Sequence, residues 1–281
     1  MKKIVFVLSS NYSGSHHFAL MMGSHLSTAY LGETRRLKKS PKKACYICRD
    51  KPSCDLFAGI GPQNIASLYE QLYRRLPEGV VAVVDNSKKP GWAGQYLHLA
   101  DQFDLRFVHL IRDPRALVRR WLAESPSASM GFRHRRKLAI AYPHRTWAAM
   151  SAPTWVVHAY RWLRQNQEIS EFISKNRLAH RIVTYRDLAL EPQQQLDNLM
   201  TWLGMEYQPG QLEYWKRDHH GTQKQDYFQS TEKSYFDLRW QADLDETVQT
   251  GVMEIAEIRR FLSKLGLYGL ADGLTSDLPV G

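Results

Sequence analysis

The sequence predicts an α/β fold of three layers, a central and mostly parallel sheet flanked by helices. Two observations carry that prediction. Four short runs, at 4–8, 80–84, 105–111 and 181–185, are rich in β-branched residues and end in polar or turn residues, as strands buried on both faces do. Helical patterns at 19–28, 65–76 and 115–123 lie between these runs, and strands alternating with helices imply βαβ units.

Taken in order, the first run ends in Ser9-Ser10-Asn11-Tyr12-Ser13-Gly14-Ser15 and leads into a helical segment. Gly14 permits a tight turn, and the N–H groups that open a helix point at an anion, with the helix dipole adding to the attraction. The loop has no GxxxxGK[ST], so it lacks the lysine and the Mg-holding hydroxyl that ATP or GTP hydrolysis uses. Many turns between strand and helix look like this one, so the loop alone does not select a ligand.

The second run leads to Asp85-Asn86-Ser87-Lys88. Read from the residues alone, Asp85 is a cap for the next turn and Lys88 a surface charge. The third run ends in Arg112-Asp113-Pro114-Arg115, and Pro114 suits the first turn of a helix that reaches Arg120. Arg120 follows Arg112 by eight residues, and two guanidinium groups suit bidentate binding of phosphate. An ion pair of Arg112 with Asp113 that caps the helix reads equally well. Beyond them, a helix over 154–174 puts Trp155, Ala159, Trp162 and Leu163 near one face, which is core packing.

Two segments interrupt the alternation. Residues 33–60 hold Arg35, Arg36, Lys38, Lys39, Lys42 and Lys43, together with Cys45, Cys48 and Cys54; residues 124–153 hold Arg133, Arg135, Arg136 and Lys137. Both begin near the expected C-terminal edge of the sheet, where open α/β folds bind ligands, although charge runs are commonly solvated faces. The second is expected on the acceptor side. With no internal repeat, low-complexity tract or linker, the chain reads as a single domain over 1–281.

The net charge of +10 favours an acidic partner, and 43% hydrophobic residues exclude a disordered chain. The opening apolar run is shorter than the ~7–15 residues of a signal-peptide core, and no window approaches the ~18 of a membrane span. These features predict a cytoplasmic protein with no transmembrane segment. Three clustered cysteines do not make a disulfide framework. Buried free thiols are the simpler reading. The spacing Cys45-x2-Cys48-x5-Cys54 also offers three ligands to a zinc, with a histidine as the fourth.

Four motifs in order, SSNYSGS, VVDNSKKP, HLIRDPRALVRRW and RIVTYRDL with Pro192 and Trp202-Leu203-Gly204, resemble those of the PAPS-dependent sulfotransferases of bacterial and carbohydrate type. PAPS is 3'-phosphoadenosine 5'-phosphosulfate. The resemblance runs from Ile4 to about Gly204, with a weaker echo in His219-His220-Gly221 and Asp237-Leu238-Arg239-Trp240. It implies a P-loop NTPase-like fold and metal-independent, in-line transfer of a sulfuryl group from PAPS to a hydroxyl or, less commonly, an amine, leaving PAP. By that resemblance Ser13, Gly14, Ser15, His16 and His17 hold the 5'-phosphosulfate, Arg112 binds the 3'-phosphate, and Tyr185 lies near the nucleotide; Arg120 stands where the family commonly has a serine for the 3'-phosphate, a change that preserves phosphate affinity. Asp85 stands where relatives carry an acidic base, with His16, His17, His219 and His220 as rivals, and Lys88 faces the transferred group. The chain also departs from the family at Tyr12, where a cation is usual, so Lys88, or else a histidine, is expected to supply the missing charge.

The acceptor implied is a saccharide or other small molecule, with the basic inserts suiting an anionic one. A kinase-like phosphotransferase of the same broad fold is the alternative, disfavoured by the absent lysine. A non-enzymatic polyanion binder is the other, although no recognised nucleic-acid module or interleaved aromatics are present.

Overall fold

The computed structural model describes residues 1–38, 45, 48, 54–124, 128–141, 151–221 and 236–267. They fall into two compact units, the first from Met1–Ile111 and Ile169–Phe236, the second from Arg112–Glu168 and Asp237–Gly281. Lys39, Lys42 and Lys43 of the first basic insert lie outside the described residues, as does the side chain of Arg133 in the second.

The strands are β1 Lys3–Ser9, β2 Thr28–Gly32, β3 Ala82–Lys88, β4 Asp104–Ile111 and β5 His180–Thr184. The helices in chain order are α1 Ser15–Gly23, α2 Leu68–Arg75, α3 Pro90–Ala93, α4 Pro114–Ala123, α5 Ala128–Ala141, α6 Thr154–Lys175, α7 Tyr185–Leu190, α8 Pro192–Trp202, α9 Arg239–Asp243, α10 Glu246–Glu254 and α11 Ala256–Lys264. The first unit is built on a five-stranded sheet in the order β2-β3-β1-β4-β5, parallel at every pairing. From β1 the chain goes to one edge of the sheet, returns through β3, and crosses to the other side of β1 for β4. The order therefore reverses at β1, and open parallel sheets bind ligands beyond the strand C-termini at that switch point.

Strand periodicity sends alternate β1 residues into two cores, one on each face. Ile4, Phe6 and Leu8 join Tyr69, Trp92, Tyr96 and Phe107; Val5 and Val7 join Phe18 and Met22 of α1 with Leu196, Leu199 and Met200 of α8. The Phe6 ring stacks on Phe107 at 5.3 Å and meets Tyr69 edge-on at 5.6 Å. Such pairs contribute about 0.5–1.5 kcal/mol each beyond area burial.

Two boundaries differ from the sequence expectation. The helix expected over 19–28 is instead α1, Ser15–Gly23, and the chain after it forms β2, a strand the periodicity did not predict. Gly23 makes the sharp return possible, since a Cβ there would stand 2.4 Å from Tyr30 Cβ. The second run, expected over 80–84, pairs further along, with Asp85 opposite Phe6 and Lys88 opposite Leu8. Polar strand residues are tolerated there because side-chain partners replace water.

In the second unit Asp113 caps α4, accepting from Arg115 N at 2.8 Å. The Arg115 guanidinium grips the same carboxylate and lies 4.0 Å from the centre of the Trp240 ring. Trp121 and Trp162 are fully buried, and Gly251 leaves room for the Trp155 ring, which a Cβ would meet at 2.8 Å. Among the described residues no helix is long and apolar enough to cross a membrane.

Candidate active site

The loop after β1 is held in an unusual backbone path. Tyr12 and Gly14 both have left-handed conformations, with φ of 70° and 82°. For Tyr12 this is uncommon and costs of order 1–3 kcal/mol, the kind of strain concentrated at ligand sites. Gly14 has a second constraint, because a Cβ would fall 2.6 Å from Tyr185 Cδ2. The loop and Tyr185, far apart in sequence, therefore meet. The first helical bond of α1 runs from Phe18 N to Gly14 O at 3.1 Å, so the helix supplies no acceptor for the N–H groups of its first turn. No acidic side chain stands in that turn. Ser9 Oγ, Ser13 Oγ and His17 Nε2 are buried without hydrogen-bond partners among the described residues. Buried orphan polar atoms are rare, and three around one loop fit a cradle for an anionic group with several acceptor oxygens.

His16, in the first turn of α1, joins this loop to a charged cluster. Its Nε2 lies 3.4 Å from Glu33 Oε1 and 3.1 Å from Lys88 Nζ, and its Nδ1 lies 2.6 Å from Asn86 Nδ2 and 3.3 Å from the Tyr30 hydroxyl. Lys88 Nζ donates to Glu33 Oε1 at 2.5 Å, and Arg36 Nε donates to Glu33 Oε2 at 2.8 Å. Glu33 and Lys88 are 4% and 7% exposed, so the pair is shielded from solvent. Lys88 too has a left-handed backbone, φ 67°.

Burial pushes the Glu33 carboxyl up, but the hydrogen bond with His16 and the charge and hydrogen bond of Lys88 outweigh it and hold the group well below the usual carboxylate range. Burial pushes the Lys88 ammonium down, opposed by Glu33. Burial also drives His16 down to about 4, against the hydrogen bond with Glu33, and drives His17 to about 4. At neutral pH Glu33 is a carboxylate and His16 a neutral imidazole.

Asp85 has a different setting from the one expected of a base. It is 0% exposed, and its Oδ1 accepts from Ser87 N at 2.7 Å and Ser87 Oγ at 2.5 Å. Its Oδ2 accepts from the Tyr69 hydroxyl at 2.6 Å, Trp92 Nε1 at 3.0 Å and the Thr34 hydroxyl. Five donors occupy its lone pairs, leaving no free acceptor for a substrate proton. The carboxylate instead ties the end of β3 to the turn after Glu33, through Thr34.

Arg112 and Arg120 belong to the second unit. Arg112 does not pair with Asp113: its Nη2 donates to Asp237 Oδ2 at 2.8 Å, and its carbonyl accepts from Trp162 Nε1 at 2.9 Å. Arg120 is half-exposed, 3.9 Å from Glu124. His219 Nε2 lies 2.9 Å from Tyr214 O and 3.2 Å from Ser24 Oγ, while His220 faces Cys45, Cys48 and Cys54. Sequence reasoning passed over Glu33, whose only signal was the Gly32-Glu33 pair ending an unrecognised strand, and Asn86 and Tyr30, which orient His16.

No protein-family model matches the sequence, and no curated protein does. Solved structures match it through their fold. The sulfotransferase domain from the curacin biosynthetic pathway aligns over 95% of this chain and 98% of that one, with a TM-score of 0.59 and 19% identity. The sulfotransferase domain from the Synechococcus PCC 7002 olefin synthase covers 99% of this chain and 98% of its own, with a TM-score of 0.51 and 17% identity. The chain has a sulfotransferase fold. Within that fold the cradle after β1 and the cluster of Glu33, His16 and Lys88 both lie at the C-terminal edge of the sheet.

Proposed function

We propose that the protein is a sulfotransferase that uses PAPS as donor, releases PAP, and sulfates a hydroxyl of a small-molecule acceptor, a saccharide being the first class to try. The reading treats the whole chain, 1–281, as one sulfotransferase domain. One observation carries it: a buried carboxylate, ammonium and imidazole share contacts directly beside a helix N-terminus with orphaned polar atoms. When bound, PAPS supplies a sulfuryl group on a good leaving phosphate.

The chain's own residues divide the work. The first-turn N–H groups from Ser13 to His17 hold anionic oxygens, with the Ser13 hydroxyl adding a donor. Tyr185 covers the loop at Gly14 and fixes its path. Lys88 stabilises negative charge at the transfer site, which compensates for the absent cation at Tyr12. Glu33 accepts the proton of the attacking hydroxyl, and His16 positions its Oε1. A carboxylate paired this tightly is a weak base, but Lys88 weakens its hold on Glu33 as its charge is shared with an anionic donor. Asp85 is a positioning residue. Arg112 and Arg120 are proposed for the 3'-phosphate on the resemblance of their motif alone. A sulfuryl group carries less negative charge than a phosphoryl group, so these protein donors suffice without a metal.

Melting the protein with PAP, ATP, ADP or AMP tests the donor. PAP at ~100 times its dissociation constant adds ~2.7 kcal/mol of stability. Equal stabilisation by all four nucleotides, or by Mg-ATP alone, contradicts the proposal.

A further inference from the structure

Cys45, Cys48 and Cys54 are buried in the first unit and form no disulfide. The Nδ1 atom of His220 lies 3.6 Å from the sulfur of each. One ring nitrogen carries either one hydrogen or one lone pair, so it cannot make three equal hydrogen bonds to three thiols. A tetrahedral ion does account for the arrangement: bonds of about 2.3 Å to sulfur and about 2.0–2.1 Å to nitrogen set each sulfur about 3.6 Å from the nitrogen. All four ligand atoms lie within 4.8 Å of one another. Thiolates with one imidazole select a borderline-soft divalent ion, and four protein ligands close the coordination shell.

We propose that Cys45, Cys48, Cys54 and His220 bind one zinc ion as a structural site. The ion clips the insert after β2 to a segment about 170 residues further along the chain. The neighbouring His219 shows what the clip braces. Its Nε2 lies 3.2 Å from Ser24 Oγ at the C-cap of α1, and its ring stands 6.0 Å from that of Tyr30, whose hydroxyl is 3.3 Å from His16 Nδ1. The site thus steadies the far end of the helix that carries the loop, although it takes no part in sulfuryl transfer and stands whether or not that reading holds.

Elemental analysis of the full chain, purified under reducing conditions without added metal, tests this directly. One zinc per chain is expected, together with protection of all three thiols from a thiol reagent until a chelator is added. Cobalt(II) replacing the zinc gives thiolate-to-cobalt charge transfer and intense tetrahedral bands. Cys48→Ser loses the metal. His220→Cys retains one ion per chain and shifts the cobalt spectrum toward four sulfur ligands, a readout that does not depend on a destabilised variant. Wild-type protein that holds no zinc, takes up no cobalt after reduction, and exposes its thiols equally with and without zinc overturns the proposal.

Discussion

Glu33 and Asp85 are two buried carboxylates at the C-terminal side of adjacent strands, β2 and β3, yet their surroundings differ in kind. Asp85 accepts from five donors on four side chains and one backbone amide, and nothing in its shell is a full cation. Glu33 is held by Lys88, Arg36 and His16, all of them ionisable groups. A carboxylate saturated by neutral donors is fixed architecture. One balanced by cations is, on the proposed mechanism, the group that takes the proton once Lys88 turns to an anionic donor. Burial alone does not tell the two apart; the partners do.

The widest separation between them is expected in turnover. Glu33→Gln keeps the shape of the side chain and removes its charge. It should lower kcat for PAP formation from PAPS by about 10³, within the usual range for a general base. Lys88→Ala comes next, with a loss of about 10² in kcat, as for removal of one preorganised donor to developing charge. Full activity in that variant would return the missing cation of Tyr12 to some other residue.

Acid sharpens the contrast further. His16 and His17 have folded pKa values of about 4 against an ordinary value of 6.5. Between those values the unfolded chain binds more protons than the folded one, so stability falls as the pH is lowered from about 6.5 to about 4. The loss is roughly 3 kcal/mol at most for each group. Glu33, held low, stays ionised through that window and contributes its loss only below the unfolded carboxyl value. Melting curves against pH should show the first loss, and replacing His17 by Phe should reduce it. The smallest effect belongs to Asp85→Asn, which should cost about 1–3 kcal/mol by placing an amide donor among the five donors around it.

Much of this was legible in the chain. The parallel sheet announced itself through Val-rich runs, and the order of SSNYSGS, VVDNSKKP and HLIRDPRA located the C-terminal ends of three strands. The resemblance singled out Tyr185, and its ring packs at Gly14 of the opening loop. Glu33 stayed hidden because β2, at the sheet edge, is five residues with no alternation to mark it. Its own neighbours, Arg35 and Arg36, read as a solvated basic run. Asp85 stands in a conspicuous motif, while its partners Tyr69, Trp92 and Thr34 come from three separate segments that the motif does not display. His220 was out of reach for the same cause, since spacing displays the three cysteines but not the histidine that faces them.

The most direct test of the account sets Glu33→Gln and Asp85→Asn side by side, at saturating PAPS and below both melting temperatures, with PAP formation as the readout. Glu33→Gln should bind PAP within a few-fold of wild type and turn over about 10³ more slowly, whereas Asp85→Asn should melt earlier and stay within about tenfold of wild-type kcat. The reverse pattern, a fast Glu33→Gln beside a folded but inactive Asp85→Asn, would contradict it.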